Sequence, residues 1–154
     1  MRSLLLEMNM TTAKSRNLRN TLTGYYGVLQ VTHLLTLAWA GLYFLRAGGM
    51  PFPAQPPAGG WNEQVIPFLL ALGALDAAAA ALGIWFAVQR VIMGKWRVTA
   101  GLISGTIALT SALVFAVGTY ASGAWWEHPG GYLGMVTAFA PLVPLYLILI
   151  QDSC

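Results

Sequence analysis

Asp76 sits in the stretch LDAAAAALG, residues 75 to 83, with apolar sequence continuing about ten residues to either side. An aspartate at the centre of a membrane-spanning helix costs roughly 2.5–3.5 kcal/mol on insertion scales, so its carboxyl group must face protein or water and not hydrocarbon. His33, in VTHLLT, is the only histidine inside any apolar run and the natural companion. Counting 1.5 Å per helical residue puts Asp76 about 16 Å below the outer end of its run and His33 about 13 Å above the inner end of its own, nearly one level. Gln30, Thr32 and Thr36 add polar groups around His33, and Thr110 and Ser111 reach the same depth on a third run. In FAPLVPLY, Pro141 and Pro144 kink a fourth helix and free the carbonyls four residues earlier, those of Thr137 and Ala140.

The expected constellation is therefore a buried polar cluster of Asp76 and His33, completed by Thr110 or Ser111 and by a carbonyl such as that of Thr137. Mutual attraction favours the charged forms and desolvation opposes them, so a proton shared between the two groups is one outcome. Two uses stay open. One is a structural hydrogen bond that locks helix register; the other is handling of a proton or a ligand.

The elements that must position these groups follow from composition. The chain is 57% hydrophobic and only 8% charged, whereas a soluble domain is about a quarter charged, so most of its surface faces lipid. A helix crosses a bilayer core of roughly 30 Å with about 20 apolar residues. The sequence predicts an all-α integral membrane protein, an antiparallel bundle of four transmembrane helices over about 24–45, 65–88, 98–123 and 132–150. Residues 1–23 read as a basic cytoplasmic N-terminal arm and 151–154 as a C-terminal tail. The connections are too short for a second domain.

Arg2, Lys14, Arg16 and Arg19 precede the first span, and Arg90, Lys95 and Arg97 lie between the second and third, against Arg46 alone in the outer connections. The positive-inside rule then puts both termini in the cytoplasm. Tyr25, Tyr26 and Trp96 fall at the inner boundary and Tyr43, Trp61, Trp125, Trp126 and Tyr132 at the outer, as an aromatic belt requires. The apolar run Leu4 to Leu6 is too short for a signal-peptide core, so the first span is expected to direct insertion, with Met8 or Met10 as alternative starts. The sequon at Asn9 lies on the inner side and is expected to stay unmodified. Pro51, Pro53, Pro56 and Pro57 make the first outer connection a stiff, extended spacer or a strap for a neighbouring subunit.

Packing is legible too. Gly101 and Gly105 form a GxxxG pattern, and Ala108, Ala112 and Ala116 extend it along one side of the third helix, a surface for close helix contact. Other chemistry is poorly supported. His128 sits in an outer loop far from His33, which disfavours bis-histidine haem; Glu63, Glu127 and His128 on loops read as surface, not a metal site. The single cysteine, Cys154, excludes an internal disulfide. No phosphate loop or nucleophile elbow is present, and the basic arm suits lipid headgroups, not nucleic acid.

From Gly41 to Arg90, the order GLYFLRAGG, a proline-containing connection, then LDAAAAALGIWFAVQR resembles the small four-span DoxX-like membrane proteins. There an acidic residue in the second span precedes small residues, a glycine and a basic inner end, matched by Asp76, Gly83 and Arg90, with aspartate replacing the usual glutamate. The resemblance covers about a third of the chain and implies association with quinone-linked or respiratory membrane complexes.

Three functional expectations follow: a small non-catalytic accessory subunit packed against larger integral membrane subunits, a proton or small-solute carrier using Asp76 and His33, or a quinone-linked membrane enzyme. No resident cofactor or metal is called for, although a bound lipid, quinone or pigment is compatible with the cluster. Richness in Ala and Gly suits a prokaryotic inner (plasma) membrane.

Overall fold

The computed structural model describes residues 2–49 and 65–154, with side chains described from Lys14 to Gly49 and from Ile66 onward. The proline-rich connection, with Trp61 and Glu63, lies outside the described residues, as do the side chains of Arg2 and of Met8 to Met10. Among the described residues six helices follow one another: α1 Arg2–Ala47, α2 Val65–Val91, α3 Val98–Ala121, α4 Ala124–Glu127, α5 Pro129–Phe139 and α6 Leu142–Ser153. Among the described residues there is no strand. Among the described residues four segments are long and apolar enough to cross a membrane: Lys14–Ala47, Ile66–Val91, Val98–Ala121 and Pro129–Ser153.

α1 takes in the segment expected as an arm, because nothing between Arg2 and Gly48 interrupts a helix; its 46 residues extend about 70 Å at 1.5 Å per residue. α2 ends where Gly94 adopts φ +67, a left-handed conformation open to glycine at little cost. There the Lys95 N–H donates to the Gln89 carbonyl at 2.7 Å. The fourth span is interrupted, α5 closing at Phe139 and α6 opening at Leu142. Pro141, which has no N–H to continue the ladder, stands in the break, and Pro144 lies in the first turn of α6, where an N–H has no helical partner anyway.

α1 packs along α2, α2 along α3, and α3 against α6, which touches α1. Close approach depends on small residues. A Cβ on Gly27 would stand 2.6 Å from the Ala87 Cβ, and one on Gly83 would meet Gln30, Ser104 and Tyr26 within 3.0 Å. The GxxxG pair works inside the bundle: Gly101 abuts Phe86 and Leu149, and Gly105 abuts Tyr146. Ala108 is buried there, while Ala112 is half-buried.

The tightly packed core gathers Tyr26, Ala79, Phe86, Ala108, Leu142, Leu145 and Leu149. It occupies the half of the bundle nearer a charged end, where Arg19 Nη2 meets Asp152 Oδ1 at 2.9 Å and Trp96 Nε1 donates to Asp152 Oδ2 at 2.8 Å. The Arg19 and Arg90 guanidiniums lie 5.6 and 5.0 Å from the Trp96 ring centroid. Tyr26, expected at the boundary, is instead fully buried, because its hydroxyl finds partners inside. Tyr132 is buried as well, stacked on Trp125 at 5.4 Å. Tyr25, Tyr43 and Trp126 are exposed.

Candidate functional site

α1 and α2 bring His33 and Asp76 together in mid-bundle, with Nε2 3.8 Å from Oδ2. That separation is within ion-pair range but too long for a hydrogen bond. Ser111 on α3 is buried beside the Asp76 carboxyl group. The His33 ring meets the edge of Phe139, at the broken end of α5, with centroids 5.9 Å apart. Three spans and the break in the fourth therefore converge on the pair.

The other expected members lie elsewhere. Thr110 is exposed and lines a groove between α2 and α3; one residue along a helix turns a side chain by about 100°, so only Ser111 reaches Asp76. The Thr137 hydroxyl donates to the carbonyls of Leu133 and Gly134, both at 3.0 Å, on its own helix. The Thr137 and Ala140 carbonyls accept from Ala140 N–H and Val143 N–H, each at 3.2 Å, as the chain tightens through the break. Among the described residues, the carbonyl near the break that a side chain of another helix meets is that of Ala138, which accepts from the Tyr25 hydroxyl at 2.8 Å.

Above the pair opens a cavity of about 430 Å³. His33, Asp76 and Ser111 are among its few polar walls, with Thr36 and Thr119; the rest is apolar and aromatic, including Phe44, Phe115, Trp125, Tyr132, Met135 and Phe139. Ala112 and Ala116 face it with small side chains that leave the space open. A second groove, about 710 Å³, runs between α2 and α3 and shares Leu69, Leu72, Ser111, Phe115 and Thr119 with the first.

His33 Nδ1 and Asp76 Oδ1 are buried and have no hydrogen-bond partner in the protein. A buried polar atom left so is costed at about 1–3 kcal/mol, and both side chains also line the cavity. The cluster thus has the chemistry to hold a hydroxyl or carbonyl head and to exchange a proton with it.

Of the larger polar interior the sequence pointed only to Gln30; the inward placement of Thr23, Tyr26 and Ser104 was not expected. Thr23, Tyr26, Gln30 and Ser104 are all fully buried. Ser104 Oγ donates to the Ala79 carbonyl at 2.7 Å and lies 2.5 Å from the Tyr26 hydroxyl. Having spent its one proton on Ala79, Ser104 accepts from Tyr26. The spacing Thr23, Tyr26, Gln30, His33, one face of a helix, is the signal that could have found this column. Thr32 and Thr36, expected beside His33, donate to the Val28 and Thr32 carbonyls at 3.0 and 2.9 Å, within their own helix.

Among the described residues no three His, Cys, Asp or Glu side chains gather as a metal site. Of the residues behind the DoxX-like resemblance, Asp76 lies in the site, Gly83 at the crossing of three helices and Arg90 beside Trp96. Compared with known proteins, the chain matches no family model, no curated sequence and no solved structure.

Proposed function

We propose that the chain is an antiparallel four-span bundle of the inner membrane, with both termini cytoplasmic, that binds a lipid-soluble molecule by a hydroxyl or carbonyl head at His33 and Asp76. The observation behind this reading is the cavity of about 430 Å³ lined by His33 and Asp76, two titratable side chains 3.8 Å apart in an otherwise mostly apolar wall. Small-molecule sites have that form: roughly 300–1,000 Å³, mostly apolar, with a few convergent polar groups. Aromatic walls at Phe115, Trp125 and Phe139 suit a flat conjugated head such as a quinone ring. The groove between α2 and α3 offers such a molecule a sideways route from the bilayer, past Leu72 and Phe115.

An accessory role beside larger subunits has no comparable observation of its own. Exposed residues such as Leu35, Phe68 and Leu113 would meet lipid as readily as a partner.

Extraction in native lipids followed by native mass measurement tests the proposal. The expected result is one chain with a small molecule retained, and loss of that molecule from Asp76→Leu. A chain that keeps the molecule in Asp76→Leu, or that appears only with large protein subunits and no small molecule, would overturn it.

A further inference from the structure

The cavity at His33 and Asp76 lies to one side of the pair. Its lining runs from the pair to Phe44 on α1, Leu69 on α2 and Thr119 on α3, each within about one turn of the helix end that faces Trp125. From His33 to Phe44 that is about 16 Å at 1.5 Å per residue. Toward the charged end the lining stops at once: Ala77, next to Asp76, and Ala108, one turn from Ser111, are its last residues on α2 and α3, and on α1 it does not pass His33. The lining residues that are exposed, Ala38, Gly41, Leu70 and Val136, all stand on the Trp125 side.

Between the pair and the charged end the bundle is filled. Gln30, one turn from His33, and Ser104, two turns from Ser111, are fully buried, with Tyr26, Phe86 and Leu145 around them. A Cβ added at Gly83 or Gly101 would come within 3.0 Å of neighbouring side chains. Packing without room for a methyl group has none for water. On the Trp125 side the cavity of about 430 Å³ has that room, and polar groups mark the way: Thr36 stands one turn from His33 and Thr119 two turns from Ser111. Each hydroxyl donates within its own helix, Thr36 to the Thr32 carbonyl at 2.9 Å and Thr119 to the Phe115 carbonyl at 2.8 Å, which leaves its oxygen able to accept from water. The titratable side chains in this wall are His33, Asp76 and Tyr132. The groove between α2 and α3 is no substitute. Its rim residues Phe68, Leu75 and Val114 are exposed and apolar and no titratable side chain lines it, so it suits a lipid-soluble molecule and not a proton.

We infer that the His33 and Asp76 pair exchanges protons with one face of the membrane only, the face at the Trp125 end, and is sealed from the charged end. This rests on reading the pair as the functional site and gives that site a direction. Ligand and proton then use different openings. The lipid-soluble molecule enters from the side, and a proton that its head gives to or takes from the pair passes through water at the Trp125 end. When the pair gains a proton, an O–H bond of a cavity water breaks as an N–H or O–H bond forms on the imidazole or carboxylate, and bulk water at that end restores the proton. With both termini cytoplasmic, that end is the outer one.

Cys154, exposed at the charged end, marks which way each chain lies in a vesicle. The full chain carrying Ala112→Cys, at a position that faces the cavity, is placed in lipid vesicles without ligand, and a charged, membrane-impermeant methanethiosulfonate is added outside. Intact and peptide masses then give the number of reagents per chain and their positions. The expected result is one reagent per chain, at position 112 or at 154 and never at both, rising to two once the vesicles are permeabilised. Ser104→Cys, a nearly isosteric change in the packed half, is expected to gain no reagent at 104 in either condition. Two reagents per chain before permeabilisation, no reaction at 112 after it, or any reaction at 104 overturns the inference. The labelling needs no ligand, so failure to retain one would sink the binding proposal and leave the direction standing.

Discussion

His33 Nε2 stands 3.8 Å from Asp76 Oδ2, and the other polar atom of each group, Nδ1 and Oδ1, is buried without a hydrogen-bond partner in the protein. A pair built only to lock two helices would be expected to close to hydrogen-bond distance and spend both groups on each other. This one is held apart, under a cavity, with capacity to spare.

Substitutions at the pair should therefore act on binding more than on folding. Asp76→Asn keeps the volume but changes the acceptor set, and should weaken retention of a hydrogen-bonding ligand about tenfold or more, the range for leaving one buried partner unmatched. Ser111→Ala should cost less, since the carboxyl group keeps His33 beside it. Titration of each purified variant with the ligand identified by mass measurement checks the order.

Filling the cavity should separate space from chemistry. Ala112 faces the cavity, and Ala112→Trp should abolish ligand retention while leaving the His33 and Asp76 distance and the helical content unchanged. Circular dichroism and ligand retention on the same sample check both halves.

The level shared by His33 and Asp76 was legible from counting residues along two helices, because rise per residue is nearly constant. Rotation about the helix axis was not: Thr110 and Ser111 have the same depth, and only the packing of α3 decides that Ser111 turns inward. The buried column was obscured for a related reason. Tyr26 beside Tyr25 fits an interfacial belt, and only the Ser104 hydroxyl, 78 residues away, makes an interior tyrosine affordable. Pro141 stands in the break of the fourth span, but which carbonyl gains a side-chain partner from another helix depended on where Tyr25 falls.

Glycines should respond in opposite directions to the same change. Gly83→Ala places a Cβ 2.8 Å from both Gln30 Cγ and Ser104 Oγ and should destabilise by about 1–3 kcal/mol, as overpacking does. Gly24→Ala meets nothing within 4 Å and should be neutral or stabilising by up to about 1 kcal/mol through helix propensity. Thermal unfolding in one detergent compares the two.

At the charged end, Asp152→Ala removes the acceptor of both Arg19 and Trp96. The ion pair is partly exposed, at 32% and 20%, so the loss should be modest, about 1 kcal/mol, and smaller at high salt. Unfolding midpoints of wild type and variant at two salt concentrations read this directly.

The central claim is that a specific lipid-soluble molecule occupies the space above His33 and Asp76. A diazirine analogue of methionine at Met135, which lines the cavity, can be compared with the same group at Leu133, which is exposed on the same helix. After irradiation in native membranes, the account predicts one defined small-molecule adduct at position 135 and a spread of bilayer phospholipids at 133. The same phospholipid spread at both positions would contradict it.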